Sequence, residues 1–265
     1  MPESARVIAV ANQKGGVGKT TTAVNLAGAL ATDGYRILLV DLDPQGNATT
    51  GVGIDKSTGP AGTYEVLSGK DPSDIVLGTV VEGLDALAGS IDLAGAEVEL
   101  ATAMAREHKL SAALDPLRSR YDLIVIDAPP SLGLLTINAL AAADGVLIPL
   151  QTEYYALEGL GALANTLDLV RDALNPKLDI AGVVLTMFDA RTKLAEQVVA
   201  EVRGFFADRV FETVIPRSVR VSEAPGFGQP VITYDPLSRG AIAYRDLARE
   251  AARRWNLGKT QREES

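Results

Sequence analysis

Cysteine is absent from this 265-residue chain, histidine and tryptophan occur once each, and aromatic residues make up only 5%. Without thiols there is no disulfide, no cysteine nucleophile and no cysteine-bound zinc or iron–sulfur cluster. The lone His108, in polar helical surroundings, excludes a histidine-rich metal site and reads as a solvated surface residue. No apolar run reaches the roughly 18 residues that a bilayer span needs. The opening Met1-Pro2-Glu3-Ser4-Ala5-Arg6 lacks the basic and apolar regions of a secretory signal. The chain therefore reads as cytoplasmic.

What is present suits one globular domain with a large core: 47% hydrophobic and 22% charged residues. We read residues 1–257 as that domain and 258–265 as a polar, frayed tail. A net charge of −9 argues against a general nucleic-acid binder. The charge is unevenly spread, however. Residues 187–265 carry 13 basic and 11 acidic side chains, whereas residues 1–186 carry 12 and 23. Any basic face must draw on the last third, although solvated helix surface accounts for the same arginines.

Short β-rich apolar runs alternate with helical stretches along the chain. Strands are expected at 7–11, 37–41, 84–88, 123–126, 146–150, 180–187 and 210–215. Several lack polar alternation, as parallel strands covered on both faces do. Helices are expected at 20–33, 97–118, 132–143, 156–173, 194–207 and 239–255, with Gly34 ending the first. The pattern predicts a doubly wound α/β fold, mostly parallel, that binds ligands at the carboxyl ends of its strands.

The most informative segment is NQKGGVGKTTT at residues 12–22, between the first strand and the first helix. In a phosphate-binding loop, backbone N–H groups and a helix N-terminus face the phosphates, so small residues permit close approach. Lys19 then reaches the β- and γ-phosphates and the Thr20 hydroxyl meets Mg²⁺. The usual pattern has glycine five positions before Gly18; here Gln13 stands there, followed by a second lysine, Lys14. A chance glycine-rich turn is the bland alternative, but the flanking strand and helix are the context a phosphate loop needs.

Two more strands end in acids. Residues 37–40 run into Asp41-Leu42-Asp43-Pro44-Gln45-Gly46-Asn47. We expect the Asp41–Asp43 pair to send one carboxylate to each face of the strand, with Asp43 toward the γ-phosphate and its attacking water. A hydrophilic turn explains these residues equally well. Residues 123–126 run into Asp127-Ala128-Pro129-Pro130, which fits an acid associated with Mg²⁺ through water. A turn-capping aspartate is its alternative.

These three segments resemble the deviant Walker ATPases, and within them the ParA/Soj partition proteins. The stretches 185–192 (LTMFDART), 215–225 (IPRSVRVSEAP) and 234–240 (YDPLSRG) match as well, in the family's order. The resemblance spans about residues 5 to 255. It implies that Lys14, Gly15, Gly16, Val17, Gly18, Lys19, Thr20 and Thr21 cradle ATP, with Lys14 crossing a nucleotide-sandwich homodimer to the partner's phosphates. It further implies that Lys19 binds phosphate in its own subunit and that Asp43 positions the water. Thr20, Asp43 and Asp127 then form the metal side. Met187, Pro216 and Arg217 fall on the adenine side, although Met187 serves equally as core filling. Without the family, Lys14 is an ordinary solvated loop lysine.

Partition ATPases of this type bind double-stranded DNA without sequence preference as ATP-bound dimers, and so associate with the nucleoid. Matching positions nominate Arg191, Arg217 and Arg220, with Lys193 and Arg245 as further candidates; surface pairs with Glu196, Glu223 or Asp246 are the plain alternative. A ParB-type partner is also implied. Of the rivals, a MinD-like membrane ATPase ends in a basic amphipathic helix, and residues 255–265 have too little apolar surface to insert. A nitrogenase-iron-protein-like reductase needs cluster cysteines that this chain lacks. A positioning ATPase for other cargo, or a metabolic P-loop ligase or kinase, completes the set.

Overall fold

The computed structural model describes residues 4–153 and 158–258. In chain order the regular elements are β1 (Arg6–Val10), α1 (Lys19–Thr32), β2 (Ile37–Asp41), α2 (Asn47–Gly51) and α3 (Thr63–Leu67). Next come β3 (Leu77–Gly78), β4 (Leu84–Leu87), α4 (Leu93–Leu100), α5 (Lys109–Leu114), β5 (Leu123–Asp127) and α6 (Leu134–Ala142). The last third holds β6 (Gly145–Gln151), α7 (Glu158–Ala173), β7 (Asp179–Phe188) and α8 (Lys193–Phe206). It closes with β8 (Val210–Pro216), α9 (Val219–Glu223), α10 (Val231–Tyr234) and α11 (Arg239–Arg254).

The strands form one sheet in the order β3-β4-β2-β5-β1-β6-β7-β8. Every pairing is parallel except β3 with β4. Alternate residues of each strand enter different cores, which is what period-two geometry dictates. On β1, Val7 and Ala9 join the layer with α5 and α6, while Ile8 and Val10 join the layer with α1 and α11. Leu38, Val40, Ile37 and Leu39 of β2 divide the same way. Burying each of these valine, leucine and isoleucine side chains contributes about 1.5–3 kcal/mol, and the Ala9 methyl less. The chain builds outward from β1 in opposite directions through β2 and β6, so the crevice above β1 is the topological switch point of the sheet.

All seven expected strands are present within about a residue at each end, and two-residue β3 was too short to read. Gly34 follows the first helix with φ 91° and donates its N–H to Ala31, as expected of a left-handed stop. One helix differs. The expected run 97–118 breaks into α4, a 3₁₀ turn, α5 and a second 3₁₀ turn. Ala105 takes φ 50°, and Pro116 sits in the second turn, where it cannot donate to a continuing α-helix. Asn138 on α6 secures the break, accepting the Leu110 N–H at 3.1 Å and donating to the Arg106 carbonyl at 2.8 Å. His108, in this broken stretch, is half-buried rather than fully solvated. Residues 156 and 157 of the expected 156–173 helix, and the tail beyond Gly258, lie outside the described residues.

Candidate functional site

Between β1 and α1 the chain makes a tight loop whose backbone is left-handed at Gly16 (φ 74°) and Gly18 (φ 88°). Side chains strain this backbone region and glycine does not, which explains the glycines at these two positions. Gly18 is the N-cap of α1 and supplies no side-chain bond to the first turn. The helix N-terminus, with its positive dipole end, is thus left open toward an anion.

The two lysines of the loop take different environments. Lys19 is buried, 8% exposed, and its ammonium donates to the Lys14 carbonyl at 3.2 Å. Burial lowers its pKa, against the opposing pull of Asp127 and Asp43. Lys14 instead points outward: its ammonium lies 3.8 Å from a Glu153 carboxylate oxygen, with its side chain 36% exposed. Thr20 and Thr21 are half-buried in the first turn of α1.

Register on adjacent strands sets the acids. Asp41 pairs with Asp127 across β2 and β5, and Val10, the last residue of β1, pairs with Asp127 on its other side. Three strand ends therefore meet at one point. Asp127 is fully buried with the Thr20 hydroxyl beside it, and neither carboxylate oxygen has a well-formed hydrogen bond among the described residues. Burial and then the Asp41 charge raise its pKa well above the usual carboxylate range, with Thr20 and Lys19 opposing. An orphaned buried carboxylate beside a threonine hydroxyl at a helix start suits a hydrated divalent cation. Among the described residues no cluster of three or more acids or histidines could cage a metal alone. Magnesium keeps several waters and takes part of its shell from substrate phosphates, so one carboxylate and one hydroxyl would be enough protein ligands for it.

Asp41 and Asp43 do not divide as expected. Residues two apart on a continuing strand share a face, and these two part because β2 ends at Asp41. Asp41 turns into the protein, while Asp43 stands half-buried in the following turn. Asp41 accepts the Thr49 N–H at 2.8 Å, the Thr49 hydroxyl at 2.7 Å and the Asp43 N–H at 3.1 Å. Burial raises its pKa to about 6 despite those bonds.

The residues expected on the adenine side also lie close together. Phe188 pairs with Pro216 in the β7–β8 register, and the Arg217 N–H donates to the Phe188 carbonyl at 3.0 Å. Met187 is half-buried with φ 53°, an uncommon backbone for a side chain of its size and the kind of strain found at ligand sites. The group reaches the loop through Thr186, whose hydroxyl donates to the Val17 carbonyl at 2.8 Å.

Each nominated DNA-contacting arginine carries an internal ion pair. Arg191, 86% exposed, forks onto Asp189 at 2.6 and 2.9 Å. Arg220 meets Glu223 at 2.9 Å and Asp235 at 3.2 Å, and Arg217 lies 3.9 Å from Glu153. Lys193 is exposed at the start of α8, whereas Arg245 holds the carbonyls of Pro236 and Ile232. The sequence reading did not single out Thr49 or Glu153, and it gave no role to Asn12 and Thr186 although both fall in its motifs. Their partners lie too far away in the chain, or too deep in the fold, to leave a local signal.

A doubly wound sheet with a glycine loop at its switch point, a buried lysine and two strand-end acids defines a P-loop nucleotide-binding protein. Residues 5–180 match the family model described as AAA domain. The chain is 57% identical to the sporulation initiation inhibitor protein Soj of Bacillus subtilis over 93% of this chain and 98% of that one. It is 54% identical to the chromosome partitioning protein ParA of Myxococcus xanthus, covering 94% and 88%. The chain belongs to the ParA/Soj family of chromosome-partitioning ATPases. Among solved structures, one described as cobyrinic acid a,c-diamide synthase from Mycobacterium smegmatis, with bound ADP and magnesium, matches with TM-score 0.84 and 41% identity, covering 95% and 96%. A second structure of that protein holds an ATP analogue and magnesium, with TM-score 0.84 and 40% identity over 97% and 100%.

Proposed function

We propose that this chain is an ATP-driven dimerisation switch that binds DNA without sequence preference and segregates DNA together with a ParB-type partner. The observation that carries this reading is the contrast between its two loop lysines. Lys19 lies buried within its own site, whereas Lys14 is half-buried, its ammonium reaching the exposed Glu153 carboxylate at 3.8 Å. A cation at the rim of the loop, not sequestered in its own site, supports a role toward the phosphates of a second subunit.

The chemistry follows from charge. Phosphoryl transfer depends on neutralising the transferring group and placing water in line more than on a strong base. Lys19 and the N-terminus of α1 hold the phosphates, and Asp43 orients the water. Thr20 and Asp127 hold Mg²⁺, which when bound neutralises charge on the phosphate oxygens. Lys14 from the partner completes the cation set, so a monomer hydrolyses slowly and turnover times the life of the dimer. In the dimer Arg191, Arg217 and Arg220 exchange their internal carboxylates for backbone phosphates, and two small patches add. The N-terminal peptide of a ParB-type partner accelerates turnover, and the ATP dimer resides on the nucleoid.

DNA binding by the purified protein, with ATP, with ADP and without nucleotide, at about 50 and 200 mM salt, tests this reading. ATP-dependent binding to unrelated sequences that weakens with salt supports it. No binding in any state, with ATP still hydrolysed, overturns the DNA switch. The similarity to a structure described as a diamide synthase motivates a second reading, an ATP-dependent ligase. Turnover that requires a small-molecule acid acceptor, and is indifferent to DNA, would favour it.

A further inference from the structure

Thr186, at the end of β7, is 2% exposed, and its hydroxyl bond to the Val17 carbonyl joins residues 169 apart in sequence. Its methyl group packs 3.9 Å from where a Cβ on Gly18 would lie. The Thr186 carbonyl in turn accepts the Thr152 N–H at 3.2 Å, just beyond the end of β6. The other end of the loop is tied in a matching way. Buried Asn12 donates to the Pro149 carbonyl at 2.8 Å and accepts the Lys14 N–H at 3.0 Å. The loop is thus moored at its start to β6 and at its end to β7.

The second mooring has a directional consequence. A trans peptide is planar, and its C=O and N–H point opposite ways. Holding the Val17 carbonyl toward β7 therefore aims the Gly18 N–H away from β7. That amide belongs to the second left-handed glycine, the N-cap of α1, a position where successive N–H groups suit an anion nest. Without the hydroxyl, the Val17 carbonyl has no donor in that direction, and the peptide is free to rotate and carry the Gly18 N–H with it.

We propose that Thr186 is a positioning residue for nucleotide binding, its hydroxyl setting the Val17–Gly18 peptide so that the Gly18 N–H faces bound phosphate. This rests on residues 14–21 being the phosphate cradle. Thr186 acts through the loop and touches no reacting atom.

The test compares wild type, Thr186→Val, Thr186→Ser and Lys19→Ala by titration with fluorescent N-methylanthraniloyl ADP and ATP in magnesium. Thermal unfolding and turnover at saturating ATP are measured alongside. Thr186→Val should raise Kd for both nucleotides about ten-fold, the scale of one lost buried hydrogen bond. Thr186→Ser, which keeps the donor, should stay within about two-fold of wild type, and saturated turnover of Thr186→Val should be retained. If Thr186→Val does not fold, Thr186→Ala serves as the donor-free comparison. Wild-type affinity in the donor-free variant, with a lowered melting temperature alone, overturns the proposal. So does a Thr186→Ser variant as weak as Thr186→Val, because packing would then be the cause. Wild-type binding by Lys19→Ala overturns the cradle reading itself, a separate failure.

Discussion

The Thr49 hydroxyl donates to the Asp41 carboxylate at 2.7 Å and accepts the Gly89 N–H at 2.7 Å, with both side chains buried. Asp41 also holds the Asp43 N–H, so this threonine anchors the turn that presents Asp43 to the crevice. Gly89 fits because a Cβ there would lie 2.7 Å from the Asp41 carboxyl carbon. Thr49→Val removes the hydroxyl, leaving a buried carboxylate short of a donor at about 1–3 kcal/mol. Turnover should fall several-fold with little change in nucleotide affinity. Steady-state ATPase assays beside nucleotide titrations check this, and a rise in KM alone would remove Thr49 from the support of Asp43.

Asp43→Ala should retain nucleotide binding, dimerisation and DNA binding while hydrolysis falls by about two orders of magnitude, the scale of a lost group that orients the reactants. Phosphate release under saturating ATP is the measurement. Normal turnover would take Asp43 out of the mechanism.

Lys14→Ala should leave monomer folding and ADP binding intact and abolish the ATP-dependent dimer. Light scattering with a slowly hydrolysed ATP analogue reads the mass directly. A dimer of wild-type strength would return Lys14 to the status of an ordinary loop lysine. Glu153→Gln, which frees Lys14 from its 3.8 Å partner, should not weaken that dimer.

Arg220→Ala should lose most DNA affinity while still dimerising with ATP. The slope of log affinity against log salt should flatten by about one unit per phosphate contact removed from each subunit. Glu223→Gln should strengthen DNA binding modestly, because it releases Arg220 from a surface pair of small intrinsic worth. Unchanged affinity in Arg220→Ala would move the DNA face elsewhere.

Glu250 on α11 should contribute acid-sensitive stability at the edge of the sheet. It accepts the Glu212 N–H at 2.8 Å, the Thr213 N–H at 2.9 Å and the Thr213 hydroxyl at 2.7 Å, with Arg254 at 2.8 Å. Burial pushes its pKa up, but these bonds and the Arg254 charge outweigh it and the net shift is downward. A carboxyl with a lowered folded pKa adds stability above its unfolded value, near 4.3, and loses it as pH falls through the folded value. Glu250→Gln should cost about 1–3 kcal/mol near neutrality. Urea unfolding at pH 7 and below pH 4 should show the gap to wild type closing at the acid end. A gap independent of pH would deny the ionised carboxylate this role.

Much of the architecture was legible in the chain. The strands at 37–41 and 123–126 and the first helix announce themselves because a strand buried on both faces, or a helix packed on a sheet, needs an apolar pattern of fixed period. The glycine loop was legible for a different reason: left-handed backbone at positions 16 and 18 admits few other residues. The long helix expected at 97–118 failed because its break is stabilised by Asn138, which lies on another helix. Asp41 and Asp43 were misread because strand alternation puts residues two apart on one face, and only the end of β2 at Asp41 lets them part.

The sequence by itself determined the doubly wound fold, the phosphate loop and the two strand-end acids, because each depends on residue types within about ten positions of one another. Tertiary structure alone decided which groups meet. It set Asp41 beside Asp127 through strand register, placed Glu153 against Lys14, and brought Thr186 to Val17 across 169 residues. Those contacts depend on the order of strands in the sheet, and no local pattern of side chains encodes that order.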